Sequence, residues 1–367
     1  MEGASRVGKP LSLRCNSTER VRADENSTCR TANPCHGLVS YFGHRKSLIA
    51  LASFTALVDT VARLAFKSVR IMDAKFHPAI SAIKSGDLQR LKSLVSQDPT
   101  LATGRSSQSH PTLLQCLVLS AKDVPNQVEL ARVLIEAGAE LNQPFVACGS
   151  MDNVKIAALL IDCGAAIDGT GGWSPLEEAL YWNSQKVAAL LLERGASIAN
   201  LRIAAGLGRT DLIEDFFNPD GSLKAAAGKI NWPWGDRAVI EESNFDREGK
   251  AKLAARVASW SDDRQGIIDN AFVYACLHGH IEAAKLLLQK GAQLNAIPGG
   301  FDYAGTGLHY AALNGHRATV QFLIEQGADV DIRDTKVGAT AAGWAEHGGH
   351  KELKRYLEDC SSQFRRQ

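Results

Sequence analysis

The chain has 367 residues, 45% hydrophobic and 22% charged, the proportions of a protein that folds around a core and not of a disordered or fibrous one. Its formal charge of +1 hides an uneven spread, because residues 1–71 carry 11 Lys and Arg against 5 Asp and Glu, a net of +6 that leaves −5 for the remainder. A mildly acidic body lacks the clustered basic residues that track phosphates, so nucleic acid is excluded as an expected partner.

From Met1 to about Tyr41 the chain is rich in Ser, Thr, Asn and Arg and has no period, which predicts disorder. Its G-x-x-x-x-G-K spacing (Gly3, Gly8, Lys9) is followed by Pro10 where a phosphate-binding loop needs Ser or Thr, and no strand precedes it. Residues 46–70 differ: apolar groups recur at helical spacing, with Arg63, Lys67 and Arg70 on another face. An amphipathic helix is expected there, either lying on a membrane surface or covering the N-terminal end of the body. Met72 is a third reading, as an alternative start. No apolar run reaches the roughly 20 residues that span a bilayer, so no transmembrane segment is expected. The opening residues lack the apolar run of a secretory signal, and the cysteines show no C-x-x-C. Cys116, Cys148, Cys163 and Cys276 fall in apolar helical runs, where a thiol packs as a small hydrophobe. A cytoplasmic location follows as the expectation.

Beyond residue 72 a unit of about 33 residues repeats. The segment TGLHYAALNGHRATVQFLIEQGADVD, from Thr306, aligns with FVYACLHGHIEAAKLLLQKGAQLN before it and with TAAGWAEHGGHKELKRYL after it. Gly-Ala pairs begin at residues 138, 164, 195, 291 and 327. Eight units start near residues 76, 110, 143, 169, 201, 268, 301 and 333, each predicted as helix, tight turn, helix and loop. In the seventh, Leu308, Ala311 and Ala312 form one apolar stripe and Val320, Leu323 and Ile324 a second, while Gly327 supplies the left-handed residue that ends a helix. One unit buries too little to fold alone, and stacking shares a continuous core.

The residues T-x-L-H-x-A-A-x-x-G-H and G-A-D-V-D resemble the ankyrin family, whose best-known signature is T-P-L-H-x-A. Thr306, Leu308, His309 and Ala311 match it with Gly307 for Pro, and Ser174, Pro175, Leu176 and Ala179 match it with Glu177 for His. The resemblance covers most of residues 76–360, and the C-terminal half is similar to a group of stand-alone bacterial ankyrin proteins. It implies an all-α solenoid of about eight helix-turn-helix units, divided as an extension (1–71), worn repeats (72–217), an insertion (218–267), well-matched repeats (268–360) and a tail (361–367). Residues 218–267 break the period between units five and six and hold Trp232, Trp234 and Trp260. They read either as a degenerate helix pair bridging two sub-arrays or as a binding element projecting from the array.

Ankyrin partners bind the loop fingers and the exposed end of the first helix, which implies a monomeric, non-enzymatic scaffold for a protein partner. The signature leaves Trp173, Tyr181 and Trp182 free in unit four, Phe301 and Tyr303 in the finger of unit seven, and Lys336 and Val337 in that of unit eight. Large aromatics at such positions make interface anchors. The expected surface is concave and centred on Trp173, Tyr181 and Trp182, unless the insertion covers them. Tyr274, Tyr310 and Trp344 share an equivalent position that points inward, so they are expected in the core.

No metal or cofactor is expected. His278, His280, His316, His347 and His350 lie at inter-helix turns, where the resemblance implies bonds to backbone, and Asp329, Asp331 and Asp334 lack the glycine and terminal Glu of a calcium loop. No small-molecule substrate is expected, since G-x-S-x-G, H-E-x-x-H and dinucleotide fingerprints are missing. Two rival readings remain: an enzyme using Asp236, Glu241, Glu242 and Asp246 in the insertion, and an adaptor tethered to a membrane surface by residues 46–70.

Overall fold

The computed structural model describes residues 74–106, 112–121, 123–233, 246–260 and 263–364. The expectations for residues 1–71, including the helix at 46–70, lie outside them. Within them the regular elements are helical, apart from an isolated bridge between Phe217 and Leu223.

The helices come in pairs. They are α1 (His77–Ser85) with α2 (Leu88–Gln97), followed by the short α3 (Thr100–Thr103); α4 (Leu113–Ser120) with α5 (Gln127–Glu136); α6 (Asn142–Met151) with α7 (Val154–Asp162); α8 (Pro175–Tyr181) with α9 (Gln185–Glu193); and α10 (Leu201–Gly206) with α11 (Thr210–Asp215). After the insertion, which contains α12 (Arg247–Ala258), come α13 (Arg264–Leu277) with α14 (Ile281–Gln289), α15 (Gly307–Leu313) with α16 (Arg317–Glu325), and α17 (Ala341–His347) with α18 (Lys351–Phe364). Local sequence sets the starts: Ser174 and Glu177 form a reciprocal capping box at α8, as Thr112 and Gln115 do at α4, satisfying amide groups that a helix N-terminus leaves open. Thr306 and His309 close the same box at α15 with an imidazole in place of the usual acid.

First helices stack in one row from α1 through α4, α6, α8, α10, α13 and α15 to α17. A single core runs beneath them, from Phe76 and Ile83 through Leu117, Phe145, Leu176, Ile203 and Phe272 to Leu308 and Ala345. Burying each large apolar side chain contributes roughly 1.5–3 kcal/mol. Tyr274, Tyr310 and Trp344 are buried, at 0%, 7% and 6% exposure.

The row of first helices is continuous across the insertion. α10 packs directly on α13, so the helix row passes from unit five to unit six without a helix of the insertion between them. The physical reason lies in α10 itself: it is six residues long and ends in Ala204, Ala205 and Gly206. A Cβ on Gly206 would lie 3.4–3.5 Å from His278, Leu180 and Tyr274. Small residues at this joint let units four and six meet across unit five, and His278 Nε2–H donates to the Leu180 carbonyl at 2.9 Å. The turns of units four and seven also touch, Asn183 Nδ2 donating to Asn314 Oδ1 at 2.9 Å. The array is therefore pinched on its inner side between units four and seven.

Candidate protein-docking face

The pinch brings the candidate aromatics together but encloses most of them. Trp173 is 6% exposed and Phe301 2% exposed, so the free aromatic surface expected at those positions is corrected: both rings pack inward. Tyr181 is half-buried, and its hydroxyl accepts hydrogen bonds from the Asp302 backbone at 2.8 Å and from Trp232 Nε1 at 3.3 Å. Its ring stacks on Phe301 with centroids 6.1 Å apart and planes at 19°. Phe301 also meets Tyr274 and Tyr310, at 5.0 and 4.7 Å. The physical reason is the insertion and the long finger of unit seven, which close over unit four from two sides.

Beneath Trp173 and Trp182 lies an unforeseen buried carboxyl. Glu178 occupies the position equivalent to Tyr274, Tyr310 and Trp344, and it accepts hydrogen bonds from Trp173 Nε1 at 2.6 Å, Trp182 Nε1 at 2.9 Å and the Ser150 hydroxyl. Burial pushes its pKa above the ordinary carboxyl value, against the pull of those three donors. Its neighbour Glu177 behaves oppositely. Burial alone would raise it, but the Arg202 guanidinium, the Ser174 backbone N–H and Asn200 outweigh that and hold it below the usual range. Arg202 is salt-bridged to Glu177, donates to the Lys229 carbonyl at 3.1 Å and lies 5.3 Å from the Trp173 ring centre. An acid at a core position was the one sequence signal that could have revealed this cluster.

The outer part of the face is open. Val337 is 40% exposed at the tip of the finger of unit eight, and Lys336 and Tyr303 are half-buried beside it, the ammonium 3.9 Å from the Tyr303 ring centre and 2.9 Å from Asp302 Oδ2. Trp182 is half-buried at the rim of the pinch. Asp334 organises the tip: its carboxylate accepts from the backbone N–H groups of Lys336, Val337 and Ala339 at 2.8, 2.7 and 2.9 Å and from Trp344 Nε1 at 3.0 Å. Burial would raise its pKa, yet those donors hold it below the ordinary value. Asp334→Ala is therefore expected to cost about 2–3 kcal/mol and to loosen the tip, read as faster amide exchange at Lys336 and Val337. Unchanged exchange there would show that the loop holds its shape by other means.

Three of the turn histidines, His278, His280 and His316, are bonded to backbone. His280 and His316 donate through Nε2 to the carbonyls of Gly206 and Leu277 at 3.1 and 2.9 Å, and burial lowers the pKa of both. Among the described residues no group of three His, Cys, Asp or Glu is placed to hold a metal ion. Of the insertion acids, Asp246 caps α12 by accepting from Gly249 N at 2.8 Å, while Asp236, Glu241 and Glu242 lie outside the described residues.

Stacked helix pairs joined by fingers around one shared core define a helical repeat solenoid. Residues 253–334 match the family described as ankyrin repeats (3 copies), a match that begins inside α12, so this part of the chain carries ankyrin repeats. No curated protein matches the chain.

Proposed function

We propose that this chain is a non-enzymatic scaffold that docks a protein partner on the fingers of units seven and eight. Ankyrin repeats are generally protein–protein interaction modules. The observation that carries the finer reading is the finger tip itself. Asp334 holds Lys336 and Val337 in one conformation through four hydrogen bonds, so an exposed apolar side chain and a cation are presented with little conformational entropy left to lose on binding. Tyr303 extends this patch beneath the Lys336 ammonium, and both Tyr303 and Trp182 keep part of their rings accessible. Trp173, Tyr181 and Phe301 support the patch from below.

The setting of this reading is a monomer in the cytoplasm, consistent with the free, buried thiols of Cys116, Cys148 and Cys276. Among the described residues no helix is long and apolar enough to cross a membrane.

The test uses the full chain as bait in native lysate beside a Val337→Asp, Lys336→Glu variant with parental circular dichroism. The parent is expected to retain a specific protein, and the variant to lose it by roughly ten-fold or more, as when an interface anchor is removed. Equal retention by both would remove the finger from the binding face. Absence of any specific partner would count against the scaffold reading as a whole.

A further inference from the structure

The inner half of the same face is already filled, by the chain itself. Trp232 is 4% exposed, with its indole N–H on Tyr181 Oη, its edge on Trp260 at 6.1 Å and the Arg256 guanidinium 4.8 Å from its ring centre. Arg256 donates to the Phe301 carbonyl at 2.6 Å and the Asp302 carbonyl at 3.2 Å, and pairs with Asp302 Oδ1 at 3.3 Å. Asn231 Nδ2 donates to the carbonyl of Gly172 in the finger of unit four at 2.6 Å. The floor thus offers backbone carbonyls, one carboxylate and a tyrosine hydroxyl, and the occupant answers with an amide, an indole and a guanidinium.

Three observations separate this occupant from the solenoid. The first-helix row closes without it, since α10 packs on α13. Ile230 and Trp232 are buried yet stand outside the continuous core. No residue of α12 is buried, so this helix is held chiefly by what Arg256 and Trp260 do at its end. A segment with few buried apolar contacts opens at a lower free energy than the core beside it.

We infer that the floor between units four and seven is a docking surface for a peptide segment bearing an indole and a guanidinium, and that residues 230–233 and 246–260 occupy it as a displaceable internal ligand. This rests on the reading of the fingers as a binding face, because a partner seated on Tyr303 and Val337 reaches the floor only by replacing Trp232 and Arg256. While they stay, the floor is closed to it. The apparent affinity for an outside segment is then reduced by the fraction of chains in which the internal one has left.

The experiment needs no outside partner, so its failure is distinct from failure of the lysate capture. In the full chain, hydrogen exchange at the Trp232 indole N–H and the α12 amides is compared with that at the α13 and α15 amides. Exchange faster by roughly a hundred-fold is expected for a segment that opens on its own. A fluorescein-labelled synthetic peptide of residues 226–260 is then titrated into the parent and into a Trp232→Ala, Arg256→Ala variant. Binding about ten-fold tighter to the variant is the expected result. Gly299→Ala serves as a second variant, because a Cβ there would sit 2.5 Å from the Trp260 ring and dislodge it. Indole exchange in step with α13 and α15, or equal or absent peptide binding to a variant that retains parental helix content, would overturn the inference and make the insertion a fixed bracket.

Discussion

Arg202→Ala is expected to destabilise the chain by roughly 3–5 kcal/mol, because it strands a buried carboxylate whose partner is gone. Glu177 and Arg202 are 5% and 6% exposed, so water cannot replace the lost guanidinium. The loss also removes the cation beside Trp173 and the bond to the Lys229 carbonyl that anchors the chain entering the insertion. The pH dependence carries a sign that separates this cause from a simple packing defect. In the parent the Glu177 pKa is lowered on folding, so its contribution is present above the ordinary value of 4.5 and is lost as pH falls through the folded value. In the variant, burial is opposed only by the Ser174 backbone N–H and Asn200, so the folded pKa moves up from its parental value and the contribution of Glu177 at neutral pH is reduced. Glu178, already raised by burial, contributes stability that is lost as pH rises in both chains. Urea unfolding of both proteins at pH 4, 5.5 and 7 should show the deficit of the variant shrinking toward acid. A deficit below about 1 kcal/mol with no pH dependence would mean that the pair is solvated and contributes little.

Acid is expected to unfold the parent by charging His278. Its imidazole is locked in one neutral form: Nε2–H donates to the Leu180 carbonyl while Nδ1 accepts from Gln185 Nε2 at 3.1 Å. Burial, reinforced by His280, pushes its pKa down to about 3. A depressed histidine gives its full contribution above the unfolded value of 6.5 and loses it steadily as pH falls toward the folded value. Between pH 7 and pH 4 this amounts to roughly 3 kcal/mol from His278, and His280 and His316, shifted in the same direction, add to it. His278→Gln keeps a donor at this joint and cannot charge, so its stability should fall less steeply with acid than that of the parent. Parallel acid limbs for the two proteins would place the acid sensitivity elsewhere. Since His278 fastens unit six to unit four, the first structural change on acidification is expected at the pinch, visible as a change in tryptophan emission before helix content falls.

The sequence carried the helix pairs plainly. The best-matched pairs are written in local terms: apolar stripes at helical spacing, a Ser or Thr cap before the first helix and a glycine after the second, as at Thr306, Leu308 and Gly327. It also placed Tyr274, Tyr310 and Trp344 in the core, because equivalent positions in a stack meet equivalent neighbours. What it could not carry was the fate of Trp173, Tyr181 and Phe301. Periodicity reports which side of a helix faces its own row, whereas these rings are enclosed by segments remote in sequence, Tyr181 bonding to Trp232 51 residues away and to Asp302 121 residues away. Arg202, Asn231 and Arg256 escaped notice for the same reason, each bonding to groups 25 to 59 residues away. Nor does any repeat pattern announce that α10, shortened and ending in Ala204, Ala205 and Gly206, lets units four and six close across it. The repeat itself was determined locally, by helix periodicity and caps. The shape of its inner face was decided by the tertiary structure alone, because an insertion without a period can be positioned only by the surfaces it finds once the helices have stacked.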